Sequence, residues 1–125
     1  MGAGAGFSAD AGLKVYKDIA KVQVYKQMDM DYADLCDPGL LHSPLSSSIF
    51  VGFWGDCYNT YQSTEPHRGY YILHNLLDSL NKKYFVLTSN VDGFFRRIFD
   101  EKHVFEMHGT CDEWQCSKKC TKTIF

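Results

Sequence analysis

No run in this sequence approaches the ~20 consecutive apolar residues that a bilayer-spanning helix requires, and its start lacks the basic stretch followed by a greasy one that marks a secretory signal. A surplus of charge is missing too. Thirteen Lys and Arg against 15 Asp and Glu leave a formal net charge of -2, which supplies no basic field to draw a phosphate backbone. Neither a membrane nor nucleic acid is an expected partner, and an intracellular location, cytoplasm or nucleus, follows. Cysteine is odd in number, which excludes complete pairing: the five residues comprise the isolated Cys36 and Cys57 and the crowded Cys111, Cys116 and Cys120. That distribution suits free thiols and part of a metal site better than a disulfide framework. No repeat is visible, and low complexity is confined to the serine run at 46–48.

What is present is an ordinary globular composition, 45% apolar, 15% aromatic and 22% charged over 125 residues, enough for one domain with a hydrophobic core. The first residues, Met-Gly-Ala-Gly-Ala-Gly-Phe-Ser-Ala, form a small-residue loop of the pattern G-x-G-x-x-A from Gly4 to Ala9. In dinucleotide-binding folds such a loop follows a strand and lets backbone N-H groups approach a pyrophosphate. Only Met1 to Ala3 precede Gly4, so the leading strand is expected to be missing. By itself the pattern equally fits a flexible terminus.

Residues 19–65 read as an insertion or small subdomain, with turn and loop chemistry from Cys36 to Ser48 and then a buried aromatic helix over Ile49–Gln62. Tyr70, Leu73, Leu76, Leu77 and Leu80 fall at helical spacing, with Thr64 available as N-cap and Pro66 in the first turn. Tyr84–Thr88 reads as a strand, Phe94–Phe99 as a short helix and His103–Met107 as a second strand. Together these make a β-α-β unit of a parallel sheet, so the fold class is α/β.

Thr88-Ser89-Asn90-Val91-Asp92-Gly93 then lies at the carboxyl edge of the first of these strands, where open α/β sheets bind ligands. The same residues are also an ordinary turn sequence. Glu106-Met107-His108-Gly109-Thr110 ends the second strand and brings an imidazole to the same edge, a credible general base. Cys116 and Cys120 are spaced so that a tight loop can present both thiols to one zinc ion, although two ligands are half a site.

Taken in order, these motifs resemble the sirtuin family of NAD-consuming protein deacylases over nearly the whole chain. Gly4 to Lys17 is similar to the family's glycine-rich loop, TSNVDG to its T-Q-N-I-D-G, EMHGT to its E-x-H-G-S, and Cys116 and Cys120 fall where its first zinc cysteines occur. The segment from Phe53 to Leu73 is similar to the helix pair of a branch found in microbes and protists.

The resemblance implies the N-terminal part of a Rossmann-like parallel sheet with the start of a zinc-binding subdomain. It divides the chain into an NAD loop at 1–18, the insertion at 19–65, a helix and β-α-β unit at 66–110 and the beginning of a zinc module at 111–125. It implies that NAD is held by Gly4, Ala5, Gly6, Ser8 and the aromatic cover Tyr16, with nicotinamide at Ser89, Asn90, Val91 and Asp92. His108 becomes the general base on a ribose hydroxyl, Cys116 and Cys120 structural zinc ligands, and an acyl-lysine protein the substrate. Lys14-Val15-Tyr16-Lys17 stands where the family has P-D-F-R, exchanging a bidentate guanidinium for an ammonium and losing a carboxylate. That departure leaves open NAD hydrolysis or ADP-ribosyl transfer in place of deacylation. The chain is shorter than a sirtuin domain at both ends, so by itself it is expected to be inactive, or a non-catalytic NAD-binding piece.

Overall fold

A computed structural model describes residues 1–15, 18, 22–81 and 83–125. Its centre is a three-stranded parallel sheet in the order β1 (Gly2–Ala3), β2 (Val86–Thr88), β3 (Val104–Glu106). Gly2 pairs with Leu87 and Ala3 with Thr88, while Val86, Leu87 and Thr88 pair with Val104, Phe105 and Glu106. The strand expected to be missing before the glycine loop is therefore present in short form. Leu87 N-H donates to Met1 O at 2.8 Å and Ser89 N-H to Ala3 O at 3.1 Å. These are backbone bonds, which glycine and alanine make without any side-chain pattern to announce them.

Helix α1 (Ala5–Ala9) leaves β1 directly. The insertion is largely helical, with α2 (Gln23–Gln27), α3 (Tyr32–Leu35), a 3-10 turn at Pro38–His42 and the 20-residue α4 (Pro44–Ser63), which contains the aromatic helix expected over Ile49–Gln62 and starts five residues before it. Asp31 opens α3 with a capping box shared with Asp34. Ser43 and Pro44, read as loop residues, start α4, because the Ser43 hydroxyl accepts from Ser46 N-H and proline fits the first helical position. Helix α4 is only partly buried, with Phe53 and Cys57 inside and Leu45 and Val51 exposed.

Helix α5 (Arg68–Ser79) matches the expected amphipathic helix, but its cap is His67 rather than Thr64. His67 Nδ1 accepts from Gly69 N-H at 2.9 Å, which makes Nε2 the donor to Phe7 O at 2.6 Å. Thr64 closes α4 instead, its hydroxyl donating to Thr60 O. Helix α6 (Phe94–Ile98) and a 3-10 turn at Glu101–His103 complete the passage from β2 to β3.

One face of the sheet is packed and the other bare. Val86 joins Leu13, Tyr70, Phe94, Phe95 and Phe99 in the larger core cluster, and a second cluster gathers Leu35, Phe53 and Cys57 against α3 and α4. Tyr61 packs against both clusters. On the opposite face Phe85, Leu87, Phe105 and Met107 are about half exposed, although parallel sheets are ordinarily covered on both sides. Among the described residues no helix is long and apolar enough to cross a membrane.

Candidate functional site

All three parallel strands deliver their carboxyl ends to one edge, where the turn after β1, the loop after β2 and the loop after β3 meet. The chain reverses at Gly93, whose φ of +70° and tight surroundings both require glycine: a Cβ there would lie 2.5 Å from Asp112 Oδ2. The reversal points Asn90 and Asp92 back under α1. Both are buried, together with Ser8 and Thr88.

Hydrogen bonds fix these groups almost without freedom. Ser8 Oγ donates to Asp92 Oδ2 at 2.6 Å, and Phe94 N-H donates to Asp92 Oδ1 at 3.0 Å. Asn90 Nδ2 donates to Gly4 O at 3.1 Å and to Ser8 Oγ at 2.9 Å. Because a carbonyl only accepts, the Gly4 contact settles which end of the Asn90 amide is nitrogen. Asn90 Oδ1 is then buried with no partner among the described residues, the kind of orphan that a missing donor explains. Burial pushes the Asp92 carboxyl above its ordinary range, with the Ser8 and Phe94 hydrogen bonds pulling the other way.

Ala5, Ser8, Ser89, Asn90, Val91, Asp92 and His108 line one cavity of about 390 Å³. Seven of the residues expected to form the site thus share one space, with Gly4 in the turn beneath it and Gly6 on α1, where nothing lies within 4 Å of an added Cβ. Tyr16 lies outside the described residues. The sequence reading missed Tyr32, Cys36, Trp54 and Tyr61, which line the same cavity from α3 and α4. It also placed Tyr70 on its helix by spacing only, whereas its hydroxyl lies 2.9 Å from Ser8 Oγ. A second, more apolar cavity of about 840 Å³ lies between α4 and the chain beyond β3, with Leu41, Phe50, Val51 and Trp114 in its wall. Trp54, Val91 and His108 belong to both walls.

Glu106, at the end of β3, is raised to about 7, first by burial, with Arg96 pulling down and Asp92, Asp112 and Glu113 pushing up. Arg96 reaches Glu106 at 3.6 Å and Glu113 at 2.8 Å, and pairs with Glu101. Cys116 and Cys120 are brought together: Trp114 and Phe125 exchange backbone hydrogen bonds at 2.9 and 2.8 Å, and the loop between them sets the two sulfurs 2.9 Å apart. Cys111 sits elsewhere, buried in the wall of the larger cavity, where burial raises its thiol to about 12. Among the described residues no group of three or more His, Cys, Asp or Glu side chains is placed to hold a metal.

A profile of the Sir2 family matches residues 4–124. The chain belongs to the Sir2 family. An NAD-dependent protein deacetylase of Bacillus thuringiensis subsp. konkukian (strain 97-27) is 37% identical over 60 residues, 48% of this chain and 24% of that protein. A solved chain described as "The Structural basis of Sirtuin Substrate Affinity" superposes over 99% of this chain with a TM-score of 0.73 at 22% identity, and this chain covers 46% of it. That likeness establishes the sirtuin fold, the α/β class with its parallel sheet. This Sir2-family chain spans about half or less of the proteins it matches.

Proposed function

We propose that this chain carries the NAD-cleaving edge and the general base of a protein-lysine deacylase, acting in the cytoplasm or nucleus, where its five free cysteines stay reduced. The observation that carries the reading is the position of His108 in the wall shared by the two cavities. A base placed there reaches a ligand in either space. The membership in the Sir2 family and the named bacterial deacetylase support the reaction class.

The residues present fit the nicotinamide end of NAD. Asn90 Oδ1 lacks a donor, and a carboxamide N-H is one. Ser8, itself bonded to Asp92, holds Asn90 in place from behind, while Gly4, Ala5 and Gly6 keep side-chain bulk away from the backbone that a pyrophosphate would approach. When bound, NAD supplies a ribose carbon activated by its leaving nicotinamide. The role of His108 is to take the proton from a ribose hydroxyl as acyl transfer proceeds, a class of step that contributes about 10²–10⁴-fold. The larger cavity, walled by Phe50, Val51 and Trp114, receives the acyl-lysine. Cys116 and Cys120 provide two of the four ligands of a structural zinc; the sulfurs need only part by roughly 1 Å to span two corners of a tetrahedral site.

A second reading has one observation in its favour. Lys14, in place of the family's proline, lines the smaller cavity, and an ammonium there alters how NAD is held, which favours hydrolysis or ADP-ribosyl transfer. The test is NAD consumption by the full-length protein with and without an acyl-lysine peptide. Deacylation predicts consumption that requires the peptide and yields one deacylated lysine per nicotinamide. Equal consumption without peptide contradicts it and selects the second reading.

A further inference from the structure

Tyr70 is wholly buried, and its ring is clasped by aromatic neighbours: Phe7 at 4.7 Å, Phe95 at 4.7 Å and His67 at 4.9 Å between centroids. Packing accounts for the ring and not for the hydroxyl, which lies 2.9 Å from Ser8 Oγ on a different element. Ser8 has one proton and two acceptor sites. With Asp92 a carboxylate, that proton goes to Oδ2 at 2.6 Å, so Tyr70 must be the donor in its own contact with Ser8. Asn90 Nδ2 occupies the remaining acceptor site of Ser8 at 2.9 Å. The serine oxygen is thereby saturated. Asn90 in turn has both amide protons committed, to Ser8 and to Gly4 O, and only Oδ1 is left over.

We propose that Tyr70 is a positioning residue: by donating to Ser8 it locks the Ser8 hydroxyl on Asp92 and the Asn90 amide with Oδ1 free for the nicotinamide carboxamide. The inference rests on the nicotinamide reading of the cavity and adds a residue that touches no substrate itself. The chain of donors runs Tyr70 to Ser8 to Asp92, and the second link, at 2.6 Å against 2.9 Å for the first, is the shorter because its acceptor is charged. Without the phenol, one buried acceptor site of Ser8 is empty. Ser8 is then free to leave its rotamer, and Asn90 loses the contact that sets its tilt.

The test uses Tyr70→Phe in the full-length protein, which keeps every ring contact and deletes the hydroxyl alone. Affinity is measured for NAD and for ADP-ribose, two ligands that differ by the nicotinamide ring. The expected result is about a tenfold weaker NAD affinity, the size of one buried hydrogen bond, with ADP-ribose affinity held within about twofold. A purely structural Tyr70 would weaken both ligands together, so equal losses, or no change in either, overturn the inference. Because Tyr70 acts through Ser8, Tyr70→Phe on a Ser8→Ala background should cost no further NAD affinity; two additive losses overturn it as well. A wild-type protein that binds ADP-ribose but gains nothing from the nicotinamide ring, with or without Tyr70→Phe, refutes the nicotinamide reading itself. Loss confined to NAD in Tyr70→Phe supports both.

Discussion

Ser8 and Asp92, 84 positions apart in sequence, meet at 2.6 Å with the serine hydroxyl donating to Oδ2. The bond ties the glycine-rich turn after β1 to the loop after β2, and it places the two halves of the candidate site against each other. Ser8→Ala strands the Asp92 carboxylate, the Tyr70 hydroxyl and one Asn90 N-H in the interior at once. The expected loss is about 1–3 kcal/mol of stability, read as a lower urea midpoint with an unchanged slope. An unaltered midpoint contradicts the network.

The sequence carried much of this edge and little of what lies above it. TSNVDG and EMHGT stood out because each follows a short β-branched or aromatic run, and parallel strands deliver such ends to one side. β1 was invisible because Gly2 and Ala3 have no apolar pattern; only pairing with Leu87 and Thr88 makes them a strand. Ser43-Pro44 carried both a cap and a first-turn proline, yet among turn formers it read as a break. Tyr70 was placed on its helix by spacing alone. Nothing in that spacing says that its hydroxyl meets a serine 62 positions earlier.

Stability should fall as pH rises through the range of Glu106. Its folded pKa of about 7 lies above the ordinary 4.5. The native state therefore keeps a proton on Glu106 that the unfolded chain has released. Its contribution is complete below about 4.5 and is lost as pH climbs to about 7. Glu106→Gln removes its share of the slope. Unfolding free energies from denaturant titrations near pH 5 and pH 8 should differ by on the order of 2 kcal/mol less in the variant than in the wild type; equal differences contradict the assignment.

Gly93→Ala meets two separate obstacles, a left-handed φ of +70° and Asp112 Oδ2 at 2.5 Å from the new Cβ. The backbone part alone costs about 1–2 kcal/mol. Adding Asp112→Ala should recover the steric part and leave the backbone part. Full recovery in the double variant would show that the conformation at Gly93 carries no strain for alanine.

For the metal, Cys116→Ser and Cys120→Ser in the full-length protein should each lower the zinc measured by elemental analysis well below one equivalent, since a structural site needs all four ligands. Cys111→Ser should leave zinc content unchanged, because its buried thiol is held protonated away from the pair. Zinc lost with Cys111 and retained without Cys116 would reverse the assignment.

The most direct measurement is made on His108→Ala in the full-length protein, with acyl-lysine turnover, NAD affinity and melting temperature determined on the same sample. His108 is exposed at the junction of the two cavities, so its removal should leave the fold intact. A general base acts after binding, and the account predicts turnover reduced by at least about 10²-fold with NAD affinity within a few-fold and an unchanged melting temperature. Full turnover in the folded variant would contradict it.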